Sequence, residues 1–137
     1  MAAIKPKGFS LLELLIAVAI VGIIAAIGYP SYQQHITRSH RNEALVVLQD
    51  IGAGLEDYAM RNGNYGAANL AAVYSLDASK HPAIDRYNFS LTNSATSWAV
   101  TATPTGAQSG DGKLILYWDG RRGWDSDGDG TFEPYTP

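Results

Sequence analysis

From Phe9 to Tyr29 the chain is almost unbroken apolar, and Glu13 is the one charged residue in the run GFSLLELLIAVAIVGIIAAIGYP of residues 8–30. At ~1.5 Å rise per residue such a run, as a helix, spans roughly 30 Å, the hydrocarbon thickness of a bilayer. Beyond it the pattern becomes amphipathic. Ala44, Leu48, Ile51, Leu55, Tyr58 and Ala59 recur at helical spacing, while Glu43, Asp50 and Asp57 fall elsewhere on the wheel. Asn62-Gly63-Asn64 is a C-cap cluster, so a helix is predicted over 31–62. Between the two helical stretches Pro30 lacks a backbone donor, and with Gly22 and Gly28 nearby a kink is expected there.

Residues 63–86 are small residues, turn formers and scattered aromatics, which predicts a connecting loop with a short helical turn around residues 67–74. The period then changes to two. Tyr87, Phe89 and Leu91 alternate with polar neighbours, as do Trp98, Val100 and Ala102, and then Leu114, Leu116 and Trp118. Asn93-Ser94 and residues 106–112 read as turns, and Asp119-Gly120 as a two-residue hairpin leading into residues 121–124. Three or four strands in succession over 87–124 make an antiparallel meander whose apolar face needs the Leu48/Leu55 stripe for cover. The expected class is α+β.

Composition narrows this picture. At 137 residues there is room for one domain beside the apolar helix. The net charge of −3 gives no general attraction to nucleic acid. Cysteine is absent, so a small domain outside the cytoplasm would lack its usual staple. No nucleophile–base–acid arrangement and no phosphate-binding glycine pattern can be assembled. His35, His40 and His81 are dispersed, and an enzyme is not expected. The TRSHR segment, residues 37–41, is a small basic patch. It reads as a solvated helix face or a contact with acidic neighbours in preference to a DNA site.

The N-terminal segment allows three readings. Lys5 and Lys7 precede the apolar run without an acid, which places the leader in the cytoplasm and the residues after Tyr29 outside. A plain single-pass anchor would let Glu13 snorkel from the helix end. A secretory signal peptide could be cut after Gly28, with Ala26 completing the small-residue pair. However, the run exceeds the ~7–15 residues of an ordinary hydrophobic region and contains an acid. The third reading rests on the whole stretch KGFSLLELLIAVAIVGIIAAIGYPSY. It resembles the class III signal and N-terminal helix of a type IV pilin.

That resemblance implies cleavage between Gly8 and Phe9 by a prepilin peptidase, N-methylation of Phe9, and Glu13 as the fifth residue of the mature chain. It also implies assembly. The new Phe9 amine of one subunit would pair with Glu13 of a neighbour, each removing the burial penalty of the other. Local melting over 22–30 inside a filament is implied as well. Loss of the leader, with Lys5 and Lys7, would take the formal net charge from −3 to −5. The similarity continues more weakly through RSHRNEALVVLQDIGAGLEDYAMRNGNYG and YNFSLTNSATSWAVTATPTGAQSGDGKLIL. It implies a pilin fold, a long N-terminal helix whose second half packs on the sheet. The division expected is a leader at 1–8, an assembly helix at 9–30 and an exterior head at 31–137. Type IVa pilins usually close their C-terminal loop with a disulfide, and this chain departs from them there.

The tail WDSDGDGTFEPYTP offers an alternative clasp. Asp125, Asp127 and Asp129 are spaced by two and followed by Gly130, which matches the first half of an EF-hand loop. The Thr131 carbonyl would come seventh and Glu133 ninth, but the twelfth residue is Thr136, so a complete EF-hand is ruled out. Two readings stand, a calcium-binding loop completed by Glu133 or by an outside acid such as Asp119, and a solvated acidic tail. The calcium reading is preferred, because three adjacent carboxylates repel one another without a cation.

The function implied by the resemblance is that of a structural subunit of a type IV pilus, serving adhesion, twitching motility or DNA uptake. The precursor would sit in the bacterial inner membrane with a cytoplasmic N-terminus, meet the peptidase/methyltransferase and the assembly machinery, and enter a homo-oligomeric helical filament on the cell surface. The alternatives are a pseudopilin of a type II secretion system and a DNA-receptor minor pilin.

Overall fold

The computed structural model describes residues 8–77 and 79–137, so the leader expectation, with Lys5 and Lys7, lies outside the described residues except for Gly8. Contacts divide the chain into two units, Met1–Ile36 and Thr37–Pro137. One helix, α1, spans Leu11–Asn62.

In the first unit the side chains of residues 8–35 are all exposed, Phe9, Leu11 and Ile27 among the most. By length and composition α1 can cross a membrane. Helical structure continues through Gly22, Gly28 and Pro30, so the weak point expected from the sequence is not a break in the helix. Pro30 still cannot donate to the carbonyl one turn back, and a helix in this position carries one bond fewer than its neighbours.

The second unit has a layered core. Ala44, Leu45, Val47, Leu48, Ile51 and Leu55 of α1 are buried with Trp98, Val100, Ala102, Leu114 and Leu116. The α1 stripe is therefore wider than the spacing predicted, taking in Leu45 and Val47 as well. Two glycines let other elements approach the helix closely. A Cβ on Gly52 would stand 2.8 Å from the Trp98 ring, and one on Gly54 would stand 2.3 Å from the Val73 carbonyl oxygen. The latter belongs to α2, Leu70–Val73, whose first turn is capped by the Asn69 side chain accepting from the Ala72 N–H at 2.9 Å. The Gly63 N–H bonds the Ala59 carbonyl at 2.7 Å, so α1 ends at the cluster the sequence marked.

The sheet is an antiparallel meander in the order β1-β2-β3-β4-β5. Strands β1 (Tyr87–Asn93) and β2 (Trp98–Pro104) follow the predicted alternation, and β3 (Lys113–Tyr117) and β4 (Arg122–Asp125) form where strands were expected. A fifth strand, β5 (Glu133–Pro134), pairs with β4 and extends the sheet into the tail, where a loop was expected.

Two further expectations are corrected. Strand β3 buries Leu114, Ile115 and Leu116 in succession, because the tail folds over the face away from α1. There a Cβ on Gly123 would meet both Ile115 at 2.9 Å and Phe132 at 2.7 Å. Trp118 is not in the strand and is 53% exposed. It opens a three-residue turn, Trp118-Asp119-Gly120, closed by the Tyr117 N–H on the Arg121 carbonyl at 3.0 Å. Gly120 takes φ +82°, the left-handed residue such turns require.

Candidate assembly helix and C-terminal acidic loop

Phe9 and Glu13 sit at the start of α1. Ser10 precedes the helix and Glu13 lies in its first turn, and the two cap it reciprocally. The Ser10 N–H donates to Glu13 Oε2 at 3.0 Å, and the Glu13 N–H donates to Ser10 Oγ at 3.2 Å. This is a capping box, with Ser10-Leu11-Leu12-Glu13 as its sequence signal. Glu13 thus has a local role in the single chain, satisfying a backbone donor, and its charge stands at the positive end of the helix dipole. Gly8 and Phe9 lie just outside the helix and are exposed.

The tail places its acids unequally. One oxygen from each of Asp125, Asp127 and Asp129 lies within 4.8 Å of the others. Asp125 closes β4 and is fully buried, whereas Asp127 and Asp129 are exposed. Each carboxylate uses one oxygen to hold the loop. Asp125 Oδ1 accepts from Gly128 N–H at 2.8 Å, Asp127 Oδ1 from Asp129 N–H at 3.3 Å, and Asp129 Oδ1 from Thr131 N–H at 2.6 Å. Glu133 is not part of this cluster, since it is an exposed residue of β5 opposite Trp124. Asp119 is engaged elsewhere. The Arg121 side chain donates to it at 2.6 Å and holds its carboxyl below the usual range.

Beside the acidic loop is a polar cluster that the sequence did not disclose. The Arg41 guanidinium makes two bonds to Asp111, its Nε at 2.9 Å from Oδ2, and both side chains are nearly covered. Gln108 donates to Asp111 at 3.0 Å and to the Thr37 carbonyl at 3.1 Å, and Tyr87 donates to Asp111 at 3.4 Å. The Trp124 indole N–H reaches the Asp111 carbonyl at 2.7 Å, and its ring lies 3.7 Å from the Arg41 guanidinium carbon. Burial lowers the pKa of Arg41, but the hydrogen bond and charge of Asp111 outweigh it and the net shift is upward. The TRSHR segment therefore meets an acidic neighbour through Arg41, one of the two readings given to it.

The prokaryotic N-terminal methylation motif matches residues 5–29. Residues 30–113 match a family described as type IV minor pilin ComP, DNA uptake sequence receptor. The chain belongs to the type IV pilin family. Curated relatives of this pilin include a fimbrial protein of Neisseria meningitidis, 36% identical over 66 residues that are 48% of this chain and 39% of the relative. The type IV major pilin protein PilE1 of Neisseria gonorrhoeae is 38% identical over 69 residues, 50% of this chain and 32% of that protein. Fimbrial protein EcpC of Eikenella corrodens is 41% identical over 66 residues, 48% of this chain and 43% of the relative. The aligned part is thus less than half the length of these relatives.

Proposed function

We propose that this pilin is a minor subunit of a type IV pilus that contacts DNA during uptake. The observation that carries the reading is the match of residues 30–113 to the ComP family, which takes in the second half of α1 and strands β1 and β2. The methylation motif and the exposed apolar start of α1 support processing after Gly8, methylation of Phe9, storage in the inner membrane and incorporation into a surface filament through Glu13.

An acidic chain can hold DNA only through a local patch, because phosphate contacts need cations and base contacts need stacking surface. The β3–β4 hairpin offers both. Trp118 is exposed, Arg121, paired with Asp119 but with its side chain largely exposed, lies 4.9 Å above the Tyr117 ring, and Arg122 is next to it. This is the face we assign to nucleic acid.

A second reading, a major structural subunit, is favoured by the fimbrial and major-pilin relatives. A deletion strain separates the two. For a minor DNA-contacting subunit, filaments remain, DNA uptake is lost, and Trp118→Ala in the restored gene lowers uptake without removing the subunit from sheared filaments. Loss of filaments on deletion, or normal uptake without the protein, would overturn the proposal.

A further inference from the structure

We propose that the loop of residues 125–131 is a calcium site. Its protein ligands are the carboxylates of Asp125, Asp127 and Asp129, and the Thr131 carbonyl is the next oxygen in the spacing. Three carboxylates with an oxygen each inside 4.8 Å repel one another, and a cation between them would relieve that repulsion. The decisive observation is Asp125. Its side chain is fully buried at the end of β4, and Oδ2 has no hydrogen-bond partner among the described residues while Oδ1 holds the Gly128 N–H. A buried carboxylate oxygen without a partner is costly, and it is a ready ligand for a hard ion.

The other two aspartates, Asp127 and Asp129, also hold the loop through one oxygen, Oδ1, which accepts a loop N–H. Both are exposed, so water completes the shell. Calcium fits such a mixed, flexible set of oxygens better than magnesium, which demands near-ideal octahedral geometry. Without a bidentate acid at the twelfth place the affinity belongs with extracellular modules, a dissociation constant on the order of 10⁻⁴ M.

Binding here has a structural consequence. Asp125 is paired in register with Lys113, and a Cβ on Gly112 would come 2.1 Å from its carbonyl oxygen. Trp124, which stacks on Arg41, immediately precedes it. An ion at Asp125 therefore ties the tail to β4 and to the Arg41–Asp111 cluster, in a chain that has no cysteine to do so.

The test uses the full chain in detergent micelles, melted in chelator, in ~10 mM calcium and in ~10 mM magnesium. At that excess over the dissociation constant the midpoint rises by roughly 10 °C with calcium and by much less with magnesium. Asp127→Asn abolishes the calcium rise and melts in chelator no lower than the parent, since it removes repulsion. Asp119→Asn keeps the rise. Terbium luminescence sensitised by Trp124 and displaced by calcium reports the same site. No rise in the parent chain, an equal rise with magnesium, or an equal rise in Asp127→Asn would overturn the proposal.

Discussion

Arg41 and Asp111 form a covered two-bond ion pair across 70 residues of sequence, joining the middle of α1 to the loop before β3. The guanidinium is also stacked on Trp124, and the carboxylate also receives Gln108 and Tyr87. Truncating one partner leaves the other charge buried and unpaired, at a cost of ~3–5 kcal/mol. Arg41→Ala is therefore expected to be among the most destabilising changes in the Thr37–Pro137 unit. Arg41→Lys should restore little of it, because an ammonium reproduces neither the fork nor the stack. Urea unfolding of both variants checks this, and a Lys variant as stable as the parent would reduce the pair to a simple charge contact.

The contrast between this pair and the rest of the core shows what the sequence could disclose. Period-two alternation announced β1 and β2, where Trp98, Val100, Ala102 and Pro104 are buried and their neighbours are not. Helical spacing announced Ala44, Leu48, Ile51 and Leu55. Arg41 gave no such periodic signal: contact with an acidic neighbour was one of two readings of its segment, and neither Asp111 as the partner nor the burial of the pair could be read from the sequence. Ile115 and β5 were hidden for a related reason. The cover of Ile115 comes from Phe132, the residue just before β5, which folds back over a sheet face that alternation assigns to solvent. The Ser10–Glu13 cap has a short sequence motif, but it sits inside an apolar run in which the charge of Glu13 is the more prominent feature. Of the acidic loop, the spacing of the three aspartates was readable and the burial of Asp125 was not.

Gly52 and Gly54 invert the usual helix preference. Alanine in a helix interior is favoured over glycine by ~1 kcal/mol. Here a Cβ would press on the Trp98 ring at 2.8 Å or on the Val73 backbone at 2.3 Å. A backbone carbonyl cannot rotate away, so Gly54→Ala must shift α2 and should destabilise by ~1–3 kcal/mol. Gly52→Ala should cost less, and the Trp98 indole bond to Glu56, now 3.0 Å, should weaken with it. Thermal melts of the two variants test the order. A stabilised Gly54→Ala would mean that α2 does not lie against α1.

Alkaline pH should expose the role of Tyr87. Its ring is buried, and burial together with the nearby charge of Asp111 raises its pKa above the ordinary tyrosine value. The unfolded chain releases this proton near pH 10, whereas the folded chain holds it. Stability from this group is therefore complete below about pH 10 and falls as pH rises above it. Melting midpoints between pH 8 and 11.5 should decline steeply at the upper end, and Tyr87→Phe should flatten that decline. Parallel curves for the two proteins would assign the alkaline loss to other groups.

Glu13 serves the helix cap in the single chain and, in the proposed filament, a charge pair with the Phe9 amine of a neighbour. Two substitutions separate these uses. Glutamine retains a side chain able to accept the Ser10 N–H, as capping boxes allow, but it carries no charge. Alanine removes both. If the cap alone mattered, Glu13→Gln would assemble like the parent and Glu13→Ala would be impaired. If the pair matters, both variants reach the inner membrane in normal amounts and both fail in filaments, since an uncompensated amine would be buried between helices. Immunoblots of membranes and of sheared filaments from the two strains read out the difference. The expected result is equal loss, because one cap at an exposed helix end is worth only ~1 kcal/mol, much less than stranding a charge in an apolar core.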